Sequence, residues 1–250
     1  MIKAEQLSKT FLHNNGPHVV LEDLEFHLEE KEFVAIVGRS GSGKSTFLDL
    51  VMGLTQPSSG SITRTKPDLT IGYVFQRPAL LPWRTVLRNV ALPLEIAGEP
   101  RQVWEEKARH SLAQVGMVHT AEGYPFQLSG GMAQRVAIAR ALVQEPDLLL
   151  MDEPFGALDP ILRDNLNVNL LKLWARTKKT ILFVTHSINE AIFLSDRVVI
   201  LEEGRFIEEV VIDIPRPRDF DTFHSSEFIA KVRKIRSIMP IQPNLPRAPL

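Results

Sequence analysis

The stretch Gly38-Arg39-Ser40-Gly41-Ser42-Gly43-Lys44-Ser45 decides the fold. It lies between an apolar run, residues 33–37, and a run of helical periodicity, residues 46–52. Glycines let a backbone wrap closely enough for several N–H groups to point at phosphate oxygens, and the helix amino terminus adds a favourable dipole. Lys44 supplies a cation for the β and γ phosphates of a nucleotide, and the Ser45 hydroxyl is a ligand for Mg²⁺. A glycine-rich turn can precede a helix by chance, but the flanking strand and helix favour a loop in which residues Gly38 to Thr46 bind ATP.

A second informative stretch is Leu148-Leu149-Leu150-Met151-Asp152-Glu153, an apolar run that ends in two carboxylates. Such a run is typical of a strand that is buried on both faces of a parallel sheet. We expect Asp152 to hold Mg²⁺, directly or through water, and Glu153 to orient and deprotonate the attacking water. Alternatively, the carboxylates only end the strand and cap the turn at Pro154. The phosphate-binding loop favours the catalytic interpretation.

Polar residues follow two further strand candidates: Gln76 follows residues 71–75, and His186 follows residues 181–185. In open parallel sheets, ligands gather at the carboxyl ends of the strands. Gln76 and His186 are therefore predicted to meet the phosphate-binding loop and the two carboxylates at one edge of the sheet. The other histidines show no ligand-like spacing and are assigned no function: His13, His18, His27, His110, His119 and His224.

The order of the apolar runs predicts an α/β fold with a central parallel sheet. About a hundred residues separate the phosphate-binding loop from Asp152, far more than the dozen or so that one parallel crossover needs. An inserted helical subdomain is therefore expected over about residues 84–144, with helices at 86–97, 102–115 and 132–144.

Antiparallel strands at 19–28 and 60–63, and a hairpin over 197–213 that turns at Glu203-Gly204, are expected to flank the central sheet. We expect one domain over residues 1–213. It is followed by a helical extension, 214–236, and by a proline-rich tail, 237–250.

Composition narrows the classes of protein that remain. The 29 basic residues nearly cancel the 30 acidic ones, so charge gives no reason to expect nucleic acid as a partner. The chain has no cysteine, which excludes disulfides, thiolate zinc sites and a cysteine nucleophile. No apolar run approaches the roughly 20 residues of a membrane-spanning helix, and the amino terminus does not have the pattern of a secretory signal. We expect a cytoplasmic protein that reaches a membrane only through a partner.

The segment Leu128-Ser129-Gly130-Gly131-Met132 leads into a helical run and predicts a second anion site at a helix amino terminus. A nucleotide already enclosed by the phosphate-binding loop scarcely needs a second site on the same molecule. The segment therefore favours contact with a nucleotide held by another copy of the chain. The alternative is a serine N-cap beside a flexible turn.

Taken together and in this order, the motifs resemble the ATP-binding cassette (ABC) ATPase family, and Ala157-Leu158-Asp159 adds to the resemblance. It covers roughly residues 2–213 and implies a P-loop NTPase fold with a RecA-like core. It also implies a head-to-tail homodimer in the ATP-bound state. Each of two ATP molecules would lie between the phosphate-binding loop of one subunit and Ser129 to Gly131 of the other.

The same resemblance implies roles for four further residues. Phe11 would stack on adenine, and His186 would contact the γ-phosphate. Gln76 would sense the metal and the water, and Asp159 would link the two sites. Met132 stands where the family more commonly has glutamine.

One branch of this family, which imports nitrate, sulfonates and taurine, has segments similar to residues 74–76, 80–86 and 128–135 of this chain. Bicarbonate and pyrimidine-precursor importers are close relatives of that branch. The resemblance implies a motor subunit on the inner face of the cell membrane, with permease subunits as partners and, indirectly, a solute-binding protein. In this family the groove beyond Gln76 receives a coupling helix of the membrane subunit. Trp83 would either take part in that contact or pack inside the domain.

Two other functions compete with that of an importer motor. A soluble ABC ATPase acting on nucleic acid or ribosomes would usually carry a long coiled-coil insertion or two cassettes, and neither is seen in the sequence. A regulatory or kinase-like nucleotide-binding protein would not need the Leu-Ser-Gly-Gly segment.

Overall fold

The computed structural model describes residues 1–13, 16–156 and 158–239. Its strands are β1 (Ile2–His13), β2 (Gly16–Leu28), β3 (Phe33–Val37), β4 (Ser59–Arg64), β5 (Ile71–Val74), β6 (Leu148–Asp152), β7 (Thr180–Thr185), β8 (Arg197–Glu202) and β9 (Arg205–Val211). Its α-helices are α1 (Lys44–Met52), α2 (Val86–Ile96), α3 (Arg101–Gln114), α4 (Gly130–Leu142), α5 (Pro160–Thr177), α6 (Ile188–Leu194) and α7 (Ser226–Ile238). None of the helices in these ranges is long and apolar enough to cross a membrane.

The central sheet has the strand order β5-β6-β7-β3-β8-β9, and all of its neighbours are parallel except β8 and β9. Every residue of β3, β7 and β8 is buried, as expected of strands that are covered on both faces. This sheet, together with the antiparallel sheet and the helices, confirms the predicted fold class. The registers place Val37 opposite Thr185 and Asp152 opposite Val184, so β3, β6 and β7 end together at one edge.

The first strand was missed by the sequence patterns. β1 is the middle strand of a three-stranded antiparallel sheet with the order β2-β1-β4. Its register with β2 shifts three times between Ala4 and Thr10, and Gln6 has a positive φ of 48°. Each irregularity disturbs the alternation of apolar and polar residues that identifies a half-buried strand.

The β8–β9 hairpin was predicted to flank the central sheet, and that placement is wrong. β8 pairs with β3 inside the sheet, and β9 extends the same sheet at its edge. The turn itself lies where expected, at Glu203 and Gly204, which both have positive φ. All six residues of β8 are buried, including Arg197 and Glu202. Because these two residues are charged, the sequence did not indicate that β8 is a central strand.

Two apolar clusters cover the two faces of the central sheet. One lies beneath α5, α6 and α7, and the other lies between the sheet, α1 and the antiparallel sheet. A third cluster lies among α2, α3 and α4, in the stretch inserted before β6. Phe228 and Ile235 attach α7 to the first cluster. Residues 240–250, which make up most of the predicted proline-rich tail, lie outside the described residues.

Candidate functional site

A cleft of ≈ 360 Å³ lies where β3, β5 and β6 end, at the edge of the sheet that the strand registers align. It contains the amino terminus of α1 and the residues that follow the three strands. The cleft is lined by most of the site residues that were predicted at this edge. It is also lined by Val20, which the sequence did not suggest. The lining residues are Val20, Ser40, Gly41, Gly43, Lys44, Ser45, Thr46, Gln76, Asp152 and Glu153.

Glycines shape the loop in front of α1. Gly43 is the N-cap of α1 and has a φ of 103°, which an L-residue rarely adopts. A Cβ atom there would lie 2.5 Å from Leu21 Cδ2, and one on Gly38 would lie 2.2 Å from the Leu201 carbonyl oxygen. No side chain among the described residues caps α1 at Gly43, so its first N–H groups remain available to an anion.

Lys44 folds back over the loop. Its ammonium Nζ donates to the carbonyl oxygens of Gly38, at 3.0 Å, and Arg39, at 2.8 Å. It also lies 3.3 Å from Glu153 Oε1, and the side chain is only 4% exposed. A buried ammonium needs such acceptors, because an unpaired charge in this position would be costly.

Asp152 and Ser45 meet across the cleft. The Ser45 hydroxyl donates to Asp152 Oδ1 at 3.0 Å. Burial raises the pKa of Asp152, although the Ser45 hydrogen bond opposes the rise. Hydroxyl and carboxylate oxygens are the ligands that Mg²⁺ prefers, so this pair fits a divalent cation chemically.

Glu153 forms a second pair, with His186. Glu153 Oε2 lies 2.9 Å from His186 Nδ1, and the backbone N–H of Glu153 donates to the Val184 carbonyl at 2.9 Å. Glu153 has a positive φ of 41°, which is strained for a residue with a side chain. Strand β6 and this backbone conformation aim one carboxylate at both Lys44 and His186.

Gln76 lies two residues beyond β5 and lines the cleft. The strand was predicted to run to Phe75, but β5 ends one residue earlier, at Val74. The Phe75 carbonyl accepts a hydrogen bond from Gln134 Nε2 at 3.3 Å. This bond joins the segment that carries Gln76 to α4, the helix that begins at the Ser-Gly-Gly segment.

The segment Ser129 to Gly131 does not line the cleft of its own chain. Ser129 is the N-cap of α4, and its hydroxyl accepts from the Met132 N–H at 3.3 Å. A Cβ atom on Gly131 would lie 2.7 Å from Leu162 Cδ2, so this glycine permits close packing on α5. Asp159, likewise outside the cleft, is the N-cap of α5 and accepts from the Leu162 N–H.

Three predicted residues need separate comment. Phe11 lies in β1 beneath the Lys9 ammonium, which is 4.8 Å from the ring centroid, and it is not among the cleft-lining residues. The Ser42 hydroxyl is buried without a hydrogen-bond partner within the described ranges. Trp83 is 72% exposed, which rules out the alternative that it packs inside the domain.

Sequence reasoning also missed a tyrosine behind the cleft. Burial raises the pKa of Tyr73, and the carboxylates of Asp152 and Asp49 raise it further, so the phenol keeps its proton next to both. The sequence did contain a sign of this tyrosine, because its polar hydroxyl lies within the strand predicted to be buried at residues 71–75. Its partners could not be identified without the sheet register.

Comparison with known proteins identifies what the chain is similar to. A family described as "ABC transporter" matches residues 21–156. An aliphatic sulfonates import ATP-binding protein (SsuB 2) of Rhizobium johnstonii is 49% identical, over 80% of this chain and 78% of that protein. A bicarbonate transport ATP-binding protein (CmpD) of Synechococcus elongatus is 44% identical, over 86% of this chain and 81% of that protein. The dimeric structure of the ATP-binding cassette MJ0796 bound to ADP and Pi has a TM-score of 0.76 and 33% identity, and the match covers 86% of this chain and all of that one.

The loop geometry predicts that two neighbouring glycines tolerate alanine differently. Gly41→Ala places a Cβ at a φ of 81° in open space, whereas Gly43→Ala at 103° also meets Leu21 at 2.5 Å. Both variants should lose about 1 kcal/mol from the positive φ. Gly43→Ala should lose a further ~1–3 kcal/mol from overpacking.

Denaturant unfolding of the two variants measures this difference, with Gly41→Ala as the matched control. Equal losses of stability in the two variants would contradict the close approach of Gly43 to Leu21.

Proposed function

Because the chain belongs to the ABC transporter family of ATP-binding cassettes, and is therefore an ATP-hydrolysing protein, we propose that it is the motor subunit of an importer. The importer takes up a small solute, such as a sulfonate, nitrate, taurine or bicarbonate, through separate membrane subunits. The similarity to sulfonate and bicarbonate import proteins carries the importer role, and the convergence of Lys44, Asp152, Glu153 and His186 on one edge of the sheet supports the ATP chemistry that would drive it.

In the proposed chemistry, each group at this edge has one task. Lys44 and the open N–H groups of α1 bind the β and γ phosphates. Ser45, Asp152 and Gln76 supply oxygen ligands for Mg²⁺, which would neutralise charge on the phosphates. Glu153 orients the attacking water and accepts its proton, while His186 fixes the carboxylate and lies against the γ-phosphate.

The second half of each ATP site comes from another copy of the chain. Ser129 to Gly131 form a serine-capped helix start, exposed at Ser129 and Gly130, that lies outside the cleft of its own subunit. In a head-to-tail dimer this start faces the nucleotide of the partner, Asp159 lies between the two sites, and Phe11 stacks on adenine. The dimeric form of the similar cassette supports this arrangement.

A groove of ≈ 540 Å³ beyond Gln76 is the proposed contact with the membrane subunits. We call it the coupling groove. Its wall is apolar and partly exposed, which is typical of a surface that receives a partner. Residues that define it are Phe75, Ala79, Leu92, Pro93, Ile96 and Arg140. A solute-binding protein would deliver the cargo to those membrane subunits, so the motor touches only nucleotide and coupling helix.

The role of Glu153 is tested by Glu153→Gln. This variant should bind ATP normally, since the loop is unchanged, but lose ~10²–10⁴-fold in turnover because the water has no base. ATP-bound dimer should accumulate, as measured by phosphate release and gel filtration with ATP. Glu106→Gln on the exposed face of α3 is the matched control, and unchanged hydrolysis in Glu153→Gln would remove the assignment.

The shared site is tested with mixed subunits. Lys44→Ala and Ser129→Arg should each abolish turnover alone, because each breaks both sites of a homodimer. An equal mixture should recover roughly a quarter of the original activity or less, since half of the dimers are mixed and each has one intact site. Full activity of the mixture, or of Ser129→Arg alone, would contradict a site shared between copies.

The importer role is tested by affinity purification from detergent-solubilised cells. Integral membrane subunits should co-purify, and the solute-binding protein associated with them can then be assayed for sulfonates and other small anions. Ile96→Glu, which places a charge in the coupling groove, should lose these partners, whereas Ile229→Glu on α7 should keep them. Recovery of nucleic acid, or of no partner at all, would overturn the proposal.

A further inference from the structure

Arg163 holds the segment between the catalytic carboxylate and α5 from behind. It lies in the first turn of α5, and its guanidinium Nη2 donates to the carbonyl oxygens of Gly156, at 3.3 Å, and Leu158, at 2.9 Å. These two residues lie between Glu153 and Asp159 in sequence. One arginine therefore binds the backbone at two points between one proposed site residue and the next.

The other end of Arg163 faces α6. Arg163 Nε lies 3.6 Å from Glu190 Oε1, and Glu190 Oε2 accepts from the Thr185 hydroxyl at 2.5 Å. Thr185 is the last residue of β7 and immediately precedes His186; its hydroxyl also accepts from the Ser187 N–H at 3.0 Å. The Arg163–Glu190 pair thus bridges the strand end that carries His186 and the segment that carries Asp159.

Gly156 connects this bridge to the reacting groups. A Cβ atom on Gly156 would lie 3.5 Å from Glu153 Oε2 and 3.6 Å from His186 Cε1. The Gly156 backbone therefore forms a wall beside both members of the proposed catalytic pair. Because Arg163 binds the Gly156 carbonyl, a change in Arg163 displaces that wall.

The bridge is poorly suited to a purely stabilising role. Glu190 is 5% exposed, and burial raises its pKa although Thr185 and Arg163 oppose the rise. Within the described residues, Glu190 Oε1 and Arg163 Nε are buried, and at 3.6 Å they are too far apart to satisfy each other with a hydrogen bond. Buried ion pairs with unsatisfied groups usually contribute less to stability than apolar residues of the same size. Stability alone therefore does not explain why these polar groups are buried together.

We propose that Arg163 and Glu190 are positioning residues for ATP hydrolysis, which keep the Glu153–His186 pair and the Asp159 segment in one relative placement. This inference rests on the proposed function of Glu153 and His186. It assigns neither Arg163 nor Glu190 a contact with nucleotide, since neither lines the cleft.

Three variants test the inference: Arg163→Met, Arg163→Lys and Glu190→Gln. Arg163→Met should lower kcat at least about tenfold, because small displacements of reacting groups have large effects on rate. The dissociation constant of a fluorescent ATP analogue should stay within about twofold, since the phosphate-binding loop is untouched. Arg163→Lys keeps the charge but not the fork that reaches both carbonyls and Glu190, so it should give an intermediate kcat.

A double-variant cycle gives a second readout. If the two side chains act as one unit, Arg163→Met combined with Glu190→Gln should lower kcat no further than the more damaging single change. Arg197→Met is the matched control. Arg197 is also buried and paired, with Glu32 and Glu209, but it lies opposite Val34 near the start of β3, at the other end of the sheet.

The outcomes separate the two proposals. A loss of kcat in the Arg163 and Glu190 variants, with ATP affinity kept and a smaller effect of Arg197→Met at equal loss of thermal stability, supports the inference. Turnover within about twofold of the original, or losses that only follow thermal stability as in Arg197→Met, would overturn it. Should Arg163→Met not fold, Arg163→Lys and Glu190→Gln decide. Failure of Glu153→Gln to stop turnover would instead count against the proposed catalytic base.

Discussion

Parallel backbone pairing of β3 with β7, and of β7 with β6, is the constraint on which the candidate site depends. It places Val37 opposite Thr185 and Asp152 opposite Val184, so the residues that follow each strand arrive at one edge. A slip of one residue in β7 would move His186 about 3.3 Å and turn alternate side chains to the other face of the sheet. The apolar clusters on both faces oppose such a slip, because it would exchange the side chains packed against each cluster and disturb the packing of both.

The same burial explains what could be predicted from sequence alone. Strands covered on both faces leave long apolar runs, and polar groups directly after such runs indicate a ligand edge, as with Asp152 and His186. β1 left no such run, because its bulges disturb the alternation. β8 was predicted as a strand, but its charged Arg197 suggested a flanking hairpin and not a central strand, because the pairing of Arg197 with Glu32 and Glu209 cannot be seen in the sequence.

Contacts that link distant elements could not be predicted at all. Arg163 and Glu190 read as ordinary polar positions of α5 and α6, since an arginine that binds backbone carbonyls has no partner residue type to suggest it. The roles of Phe11 and Asp159 stay predictions, because they concern a second copy and a nucleotide. The positive φ of Glu153 could not be predicted either. Backbone strain of this kind occurs at functional sites, where the stability of the rest of the fold maintains it.

The 3.3 Å contact between Lys44 Nζ and Glu153 Oε1 joins two residues that have different proposed roles. An ammonium has three protons to donate, and here it already has two carbonyl acceptors beside the carboxylate. If Lys44 binds the phosphates of ATP, as proposed, a triphosphate would compete for those same protons. On those proposed roles, the phosphates and the proposed base share one positive charge, so nucleotide binding and catalysis are coupled through a single ammonium.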